Sequence, residues 1–263
     1  MQEGLNFLCR HADPIREAPL SLTFNLAAGV ISGIITILLV EVYRLLRRFL
    51  THRPLRRLFG PSGQRRAIVV PKFPHVRYDE FEFRFGLLAT HDAIGLAHIL
   101  AVMNKFEIMV DVLSSGSLPD GLPDDLICLG GPDGNLVTEF YMRRFCPGFV
   151  IHGDKLEDGR YEIELYECGD KTFVDENDDR WGFIVKLSPG LTGLPGTVLL
   201  LWGNNEIGTA AAAFFASQHA SRLSKFSQDS FFVALLSNSR LGYRNVRLTP
   251  IDLSANALQE SLM

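Results

Sequence analysis

The sequence predicts an α/β protein with a membrane-spanning helix ahead of it. Three observations carry that prediction. Residues Leu20 to Val40, "LSLTFNLAAGVISGIITILLV", contain no charged side chain. Strand-like apolar runs alternate with helix-like ones through the remainder of the chain. The runs at 67–70, 126–129 and 198–202 are continuously apolar, which is how central strands covered on both faces read.

The first element is the apolar run. A stretch of about 20 such residues spans a hydrocarbon core of about 30 Å. Its length and the lack of a small-residue cleavage site argue against a removable signal peptide. Residues 1–19 therefore form a short tail, 20–43 the transmembrane helix, 44–66 a basic neck and 67–263 the soluble domain. Eight arginines follow the span (Arg44, Arg47, Arg48, Arg53, Arg56, Arg57, Arg65, Arg66), and only Arg10 and Arg16 precede it. Basic residues next to a span stay cytoplasmic. The expected topology is a single pass in the plasma (inner) membrane, with the N-terminus outside and residues 67–263 in the cytoplasm. The arginine cluster should rest on anionic headgroups of the lipid bilayer.

Within the span, Asn25, Gly29, Ser32, Gly33 and Thr36 recur at helical spacing, and Gly29–Gly33 is a GxxxG pair. Small residues let helix backbones approach, and Asn, Ser and Thr can hydrogen-bond across an interface in lipid. The stripe predicts a homo-oligomer; a pore would require one, because a single span encloses nothing. In the neck, Pro54 should break or kink the helix near His52 or Arg53. Leu55, Leu58 and Phe59 beside Arg56 and Arg57 read as a short interfacial turn, and "GPSG" at 60–63 as a flexible link.

The soluble domain opens with a strand at Ala67–Val70, ended by Pro71. Alternation of Phe81, Phe83 and Phe85 with Glu82 and Arg84 suggests a further strand. Thr90 is a candidate N-cap for the helix "HDAIGLAHILAVMNKF". "EIMVDVLSS" and "DDLICLGG" read as buried strands, and Asn135–Phe145 as a helix. "GFVIHG" and "YEIELYE" form a hairpin around "LEDGR". "WGFIVKLSP" and "TVLLLWG" are strands, "EIGTAAAAFFASQHASRLSKF" is a long helix, and "FFVALLS" and "NVRLTPIDL" complete the series. The expected domain is a Rossmann-like three-layer α/β fold with a β-hairpin insertion at about 149–167.

Composition sets bounds on function. The formal net charge is −4, yet residues 1–66 hold ten of the 26 Lys+Arg and four of the 30 Asp+Glu, leaving 16 against 26 in the remainder. An acidic body behind a basic neck does not suit duplex nucleic acid. Cys9, Cys128, Cys146 and Cys168 are scattered without zinc spacing, so reduced thiols and no metal site are expected. "DENDD" at 175–179 lacks EF-hand spacing and reads as a solvated acidic loop.

Two strand–glycine–helix corners stand out: "LGGPDGNLVTEF" and "LLLWGNNEIGTAAAAFF". Ligands of open α/β sheets bind beyond the carboxyl ends of the strands. Glycine there lets backbone approach a ligand, and the following helix offers N–H groups and a positive dipole end. The candidate ligand contacts are Gly130, Gly131, Asn135 and Thr138 at the first corner. At the second they are Gly203, Asn204, Asn205, Gly208 and Thr209, and Thr90 adds a third helix start. The two strands should both lie near the centre of the sheet as neighbours or near-neighbours, so that one phosphorylated, nucleotide-like ligand bridges both corners. Neither corner is a GxGxxG or a Walker A, and no GK[ST] occurs. No G-x-S-x-G elbow or H-E-x-x-H is present. His91, Asp92 and Glu206 are the acid–base candidates there, and Asp92 and Glu206 also suit the first turn of a helix. No cofactor is implied.

The layout resembles bacterial membrane-anchored effectors of nucleotide-signalled antiphage systems, in which a cytoplasmic Rossmann-like sensor is fused to one or a few transmembrane helices. The pair "GGPDGN" and "GNNEIGTAAA" is also similar to a pattern in bacterial α/β domains to which no activity is assigned. The first resemblance implies a non-enzymatic receptor for a nucleotide second messenger, with ligand-controlled oligomerisation able to permeabilise the bilayer. The alternatives are a membrane-tethered nucleotide hydrolase or N-glycosidase, and a non-catalytic partner-binding anchor.

Overall fold

The computed structural model describes residues 14–60, 65–71, 77–78, 81–82, 88–116, 123–155, 161–169, 171–225, 230–238 and 242–249. The chain divides into two compact units, Met1–His52 and Arg53–Met263.

Helix α1 (Pro14–Phe59) begins in the first unit, and its part there contains the candidate span. Phe24–Arg47 has a mean hydropathy of 2.1 and none of it is buried. It is the one helix among the described residues long and apolar enough to cross a membrane. A Cβ built on Gly29 or Gly33 meets nothing within 4 Å. The Thr36 hydroxyl donates to the Ser32 carbonyl at 2.8 Å, so that hydroxyl is satisfied within its own helix.

The second unit contains a mixed sheet. Its strands are β1 (Arg66–Val70), β4 (Asp111–Ser114), β5 (Asp125–Leu129), β9 (Asp179–Leu187), β10 (Val198–Gly203), β11 (Phe231–Asn238) and β12 (Val246–Thr249). They run in the order β12-β11-β9-β10-β5-β1-β4. The β10-β5-β1-β4 half is parallel, and β9, β11 and β12 continue it antiparallel. A separate two-strand pair joins β2 (Arg77–Tyr78) to β3 (Phe81–Glu82); the expected continuation to Phe85 and the "LEDGR" turn lie outside the described residues.

The continuous apolar runs explain the layering. Alternate residues of one strand face opposite sides, and here both sides are core. Ile127, Leu129, Leu199 and Leu201 pack under helix α2 (Thr90–Lys105) and helix α5 (Glu206–Gln218), with Ile99, Met103, Ala212 and Phe215. Leu126, Cys128, Leu200 and Trp202 face the other way. They meet helix α3 (Leu136–Phe145) and a three-stranded antiparallel sheet, β6 (Phe149–Lys155), β7 (Tyr161–Cys168) and β8 (Lys171–Val174). The expected hairpin is thus two of three strands. The aromatics Phe149, Tyr166 and Phe173 fasten this small sheet to Phe183, with ring centroids 5.1–5.4 Å apart.

Four local expectations change. The first helix does not end near Arg53. It runs on to Phe59, and Leu55, Leu58 and Phe59 are buried in the core cluster that also holds Ile99 and Met103 of α2, rather than lying at an interface. Burying each side chain contributes about 1.5–3 kcal/mol, enough to hold the helix past Pro54. β4 is not a buried strand, because it is the sheet edge beside β1 and its residues are exposed or half-buried. The long helix after β10 stops at Gln218, and a short helix α6 (Ala220–Leu223) follows, after a one-turn helix α4 (Pro189–Thr192) earlier in the chain. Thr90 is not an N-cap. Ala89 holds that position and Thr90 is the first helical residue, with no side-chain cap bond.

Candidate functional site: the carboxyl edge of the parallel strands

Both glycine corners lie at one edge, as the apolar strands require. β5 and β10 are parallel neighbours, with Leu129 opposite Leu201. Gly130 N–H extends the ladder to the Leu201 carbonyl at 3.0 Å. α2 and α5 pack side by side. A Cβ on Gly95 would lie 3.2 Å from that of Ala213 and 3.9 Å from the Thr209 carbonyl, and the His98 ring stands 5.2 Å from Phe214. The starts of α2, α3 and α5 therefore gather at this edge.

The first corner is filled by its own side chains. Asn135 is fully buried. Its Nδ2 donates to the Val69 carbonyl at 3.0 Å and the Leu129 carbonyl at 2.7 Å. Its Oδ1 accepts from the N–H groups of Val137 and Thr138 at 3.1 and 3.3 Å. An amide has two donors and two acceptor sites, and all four are used. Asn135 straps the ends of β1 and β5 together and caps α3 in one move. The Thr138 hydroxyl, also fully buried, donates to the Gly130 carbonyl at 3.0 Å. No Asn135 hydrogen is left for a ligand. Gly130 takes φ +86, where only glycine is unstrained, and a Cβ there would strike Pro71.

The second corner is a backbone contact. Gly182 on β9, Gly203 and Gly208 meet with no room for a Cβ: one on Gly182 would lie 2.6 Å from the Gly208 carbonyl, and one on Gly208 would strike the Trp181 carbonyl. These glycines let α5 sit directly on the sheet. Gly208→Ala should therefore cost about 3 kcal/mol, since backbone and not a flexible side chain must yield. A lowered urea midpoint with unchanged slope checks it.

Asn205 caps α5, accepting from Gly208 N–H at 3.2 Å, and its Nδ2 donates to Asp175 at 2.9 Å. Asp175 also accepts from Trp181 N–H at 3.0 Å. Burial pushes its carboxyl up. The Trp181 N–H, the Asn204 side chain and Arg180 pull the other way. The sequence suggests a solvated acidic loop around Asp175; the residue is instead the half-buried partner of the second corner. Only tertiary structure brings it there, 30 residues from Asn205.

Of the ten candidate contacts, only Thr90 is exposed, and Asn204 and Asn205 are half-buried. Gly130, Gly131, Asn135, Thr138, Gly203, Gly208 and Thr209 are buried. Three buried side-chain atoms at this end have no hydrogen-bond partner among the described residues: Asn204 Oδ1, Trp202 Nε1 and Tyr166 Oη. Tyr166 lies among carboxylates, and burial first, then Asp133 and Asp175, hold its phenol well above the ordinary value. Sequence periodicity has no means to single out Tyr166, because its strand belongs to the small sheet on one face. Cys128, Cys146 and Cys168 are free thiols, buried. Compared with protein-family models, curated proteins and solved structures, the chain matches none of them.

Proposed function

We propose that the chain is a membrane-anchored, non-enzymatic sensor. On this reading its parallel half is Rossmann-like, and a nucleotide-type, phosphorylated ligand sits across the carboxyl ends of β5 and β10. What supports the reading is one juxtaposition: two glycine corners on neighbouring parallel strands, with the starts of three helices at the same edge. The ligand contacts shift from those expected. Asn135 and Thr138 support the edge from within, and Asn204 and the side-chain-uncapped start of α2 at Thr90 face the ligand. Ligand binding changes the association of membrane helices through the Asn25–Thr36 stripe, and so the permeability of the bilayer.

Incubation of the vesicle-reconstituted protein with labelled mono-, di- and cyclic nucleotides tests the reading. Retention without turnover supports a sensor. Turnover assigns a hydrolase or N-glycosidase instead, and neither result leaves a partner-binding anchor. Two further outcomes are expected. Gly29→Leu and Gly33→Leu should each weaken self-association in cross-linking, because a bulky side chain separates packed backbones; unchanged cross-linking in both would make the stripe passive. A cysteine placed at the exposed Ser221 should resist membrane-impermeant thiol reagents in intact cells, as a cytoplasmic domain requires.

A further inference from the structure

Arg53, Arg56 and Arg57 stand at i, i+3 and i+4 on the last turns of α1, so they share one helix face. All three are exposed, as is Arg65 just beyond the helix. Leu55, Leu58 and Phe59 take the opposite face and are 6% exposed or less. Residues 53–66 contain no Asp or Glu. None of the four exposed arginines has a hydrogen-bond or ion-pair partner among the described residues. Arg66, by contrast, is buried and paired with Asp125.

The charged face is also held in place. Its apolar back belongs to the core that includes Ile99, Ile127 and Leu199. One residue past the helix, the Gly60 carbonyl accepts from Arg66 Nη2 at 2.7 Å. A Cβ on Gly60 would strike the Asp125 carboxylate. Arg53, Arg56 and Arg57 therefore project from a packed segment, with their charges still to be neutralised.

We propose that this face docks on an anionic lipid surface by charge alone. The proposal rests on the reading of Phe24–Arg47 as a membrane span and not on the nucleotide reading. Arg53 follows Arg47 by six residues, at most about 20 Å of chain, so a spanning α1 delivers the face to the headgroups. The apolar side chains that would insert below the headgroups are committed to the core instead. A contact made without insertion depends on lipid charge and ionic strength, not on acyl-chain packing. Each arginine near such a surface contributes about fivefold in affinity.

The test uses the full chain in phosphatidylcholine vesicles doped with spin-labelled phosphatidylglycerol or spin-labelled phosphatidylcholine. Electron paramagnetic resonance reports how much of each probe the protein immobilises. Phosphatidylglycerol should be preferred by about fivefold. Raising the salt from about 0.1 to about 1 M shortens the Debye length from about 10 to about 3 Å and should remove most of that preference. Arg53→Gln, Arg56→Gln and Arg57→Gln together should cut it by more than about half; Arg44, Arg47 and Arg48 beside the span account for the remainder. Lysine at the same three positions should keep it, because charge and not guanidinium geometry carries the contact. Arg143→Gln with Arg144→Gln, exposed on α3, should leave it unchanged. No preference, a preference that survives the three glutamines, or one indifferent to salt would each overturn the proposal. Fewer cross-linked oligomers in the glutamine variant, with lipid preference intact, would assign the face to the acidic body of a second copy instead. A chain that carbonate strips from the vesicles would overturn the span reading and this surface with it. A chain that stays in the vesicles without lipid preference would sink this surface alone.

Discussion

Asn135→Ala is expected to cost about 3 kcal/mol or more of stability, although the sequence marks Asn135 as a ligand contact. The substitution leaves the Val69 and Leu129 carbonyls without their amide donor. A buried polar group so orphaned costs about 1–3 kcal/mol, and losing the α3 cap adds about 1 kcal/mol. The strap and the cap can be told apart. Aspartate caps a helix about as well as asparagine does, so a simple cap would tolerate Asn135→Asp. Here the carboxylate would face two carbonyl oxygens, so Asn135→Asp should destabilise at least as much as alanine. Urea unfolding of the three proteins decides it. An aspartate variant as stable as the parent would reduce Asn135 to a cap.

Arg66→Met is expected to have the other large effect. Arg66 Nε donates to Asp125 Oδ2 at 3.1 Å, both side chains being about 1% exposed. Arg66 Nη2 donates to the Gly60 carbonyl at 2.7 Å, and Thr197 N–H donates to Asp125 Oδ1 at 2.8 Å. Removing one partner of a buried pair costs about 3–5 kcal/mol, because the remaining charge stays buried. Replacing both, as Arg66→Met with Asp125→Leu, should recover much of the loss. The pH dependence has a fixed sign. Burial raises the Asp125 carboxyl above its ordinary value, and Thr197 N–H and Arg66 pull it back. Without Arg66 it rises further. A group whose folded pKa lies above its unfolded one stabilises below the unfolded pKa and loses that contribution as pH rises through the folded one. The deficit of Arg66→Met should therefore be smallest in acid and grow as pH rises through the raised Asp125 pKa. A deficit that shrinks with rising pH would mean that Asp125 is not the charge left uncompensated.

The central strands are legible in the sequence because being apolar on both faces is a one-dimensional property. Leu126–Leu129 and Val198–Trp202 state it in the residues themselves, and it is enough to place them near the centre of the sheet. The glycine corners are legible for a related reason, since Gly130, Gly203 and Gly208 stand where strand becomes helix. What each polar side chain does there is not legible. Asn135 is an equally good donor to a phosphate or to a backbone carbonyl, and only the nearness of Val69, 66 residues away, decides between them. The same holds for Asp175 and Asn205. The exposed β4 misleads because "EIMVDVLSS" carries the apolar residues of a central strand at an edge position. Leu55, Leu58 and Phe59 mislead because their arginine neighbours look the same on a lipid surface as on a solvated protein face.

Those three residues also bear on the order in which the chain can become native. They lie in the chain directly after the candidate span and are synthesised before any strand of the main sheet. The rest of the cluster they belong to arrives much later: Ile99 and Met103 on α2, then Leu199 and Leu201 on β10, and Phe231 on β11. Contacts of such wide sequence separation close slowly. During synthesis Leu55, Leu58 and Phe59 are apolar side chains with no core yet to cover them. A fragment beginning at Arg65 would lack the segment altogether and uncover part of the core, so the smallest autonomous body starts within α1, where the second unit begins at Arg53.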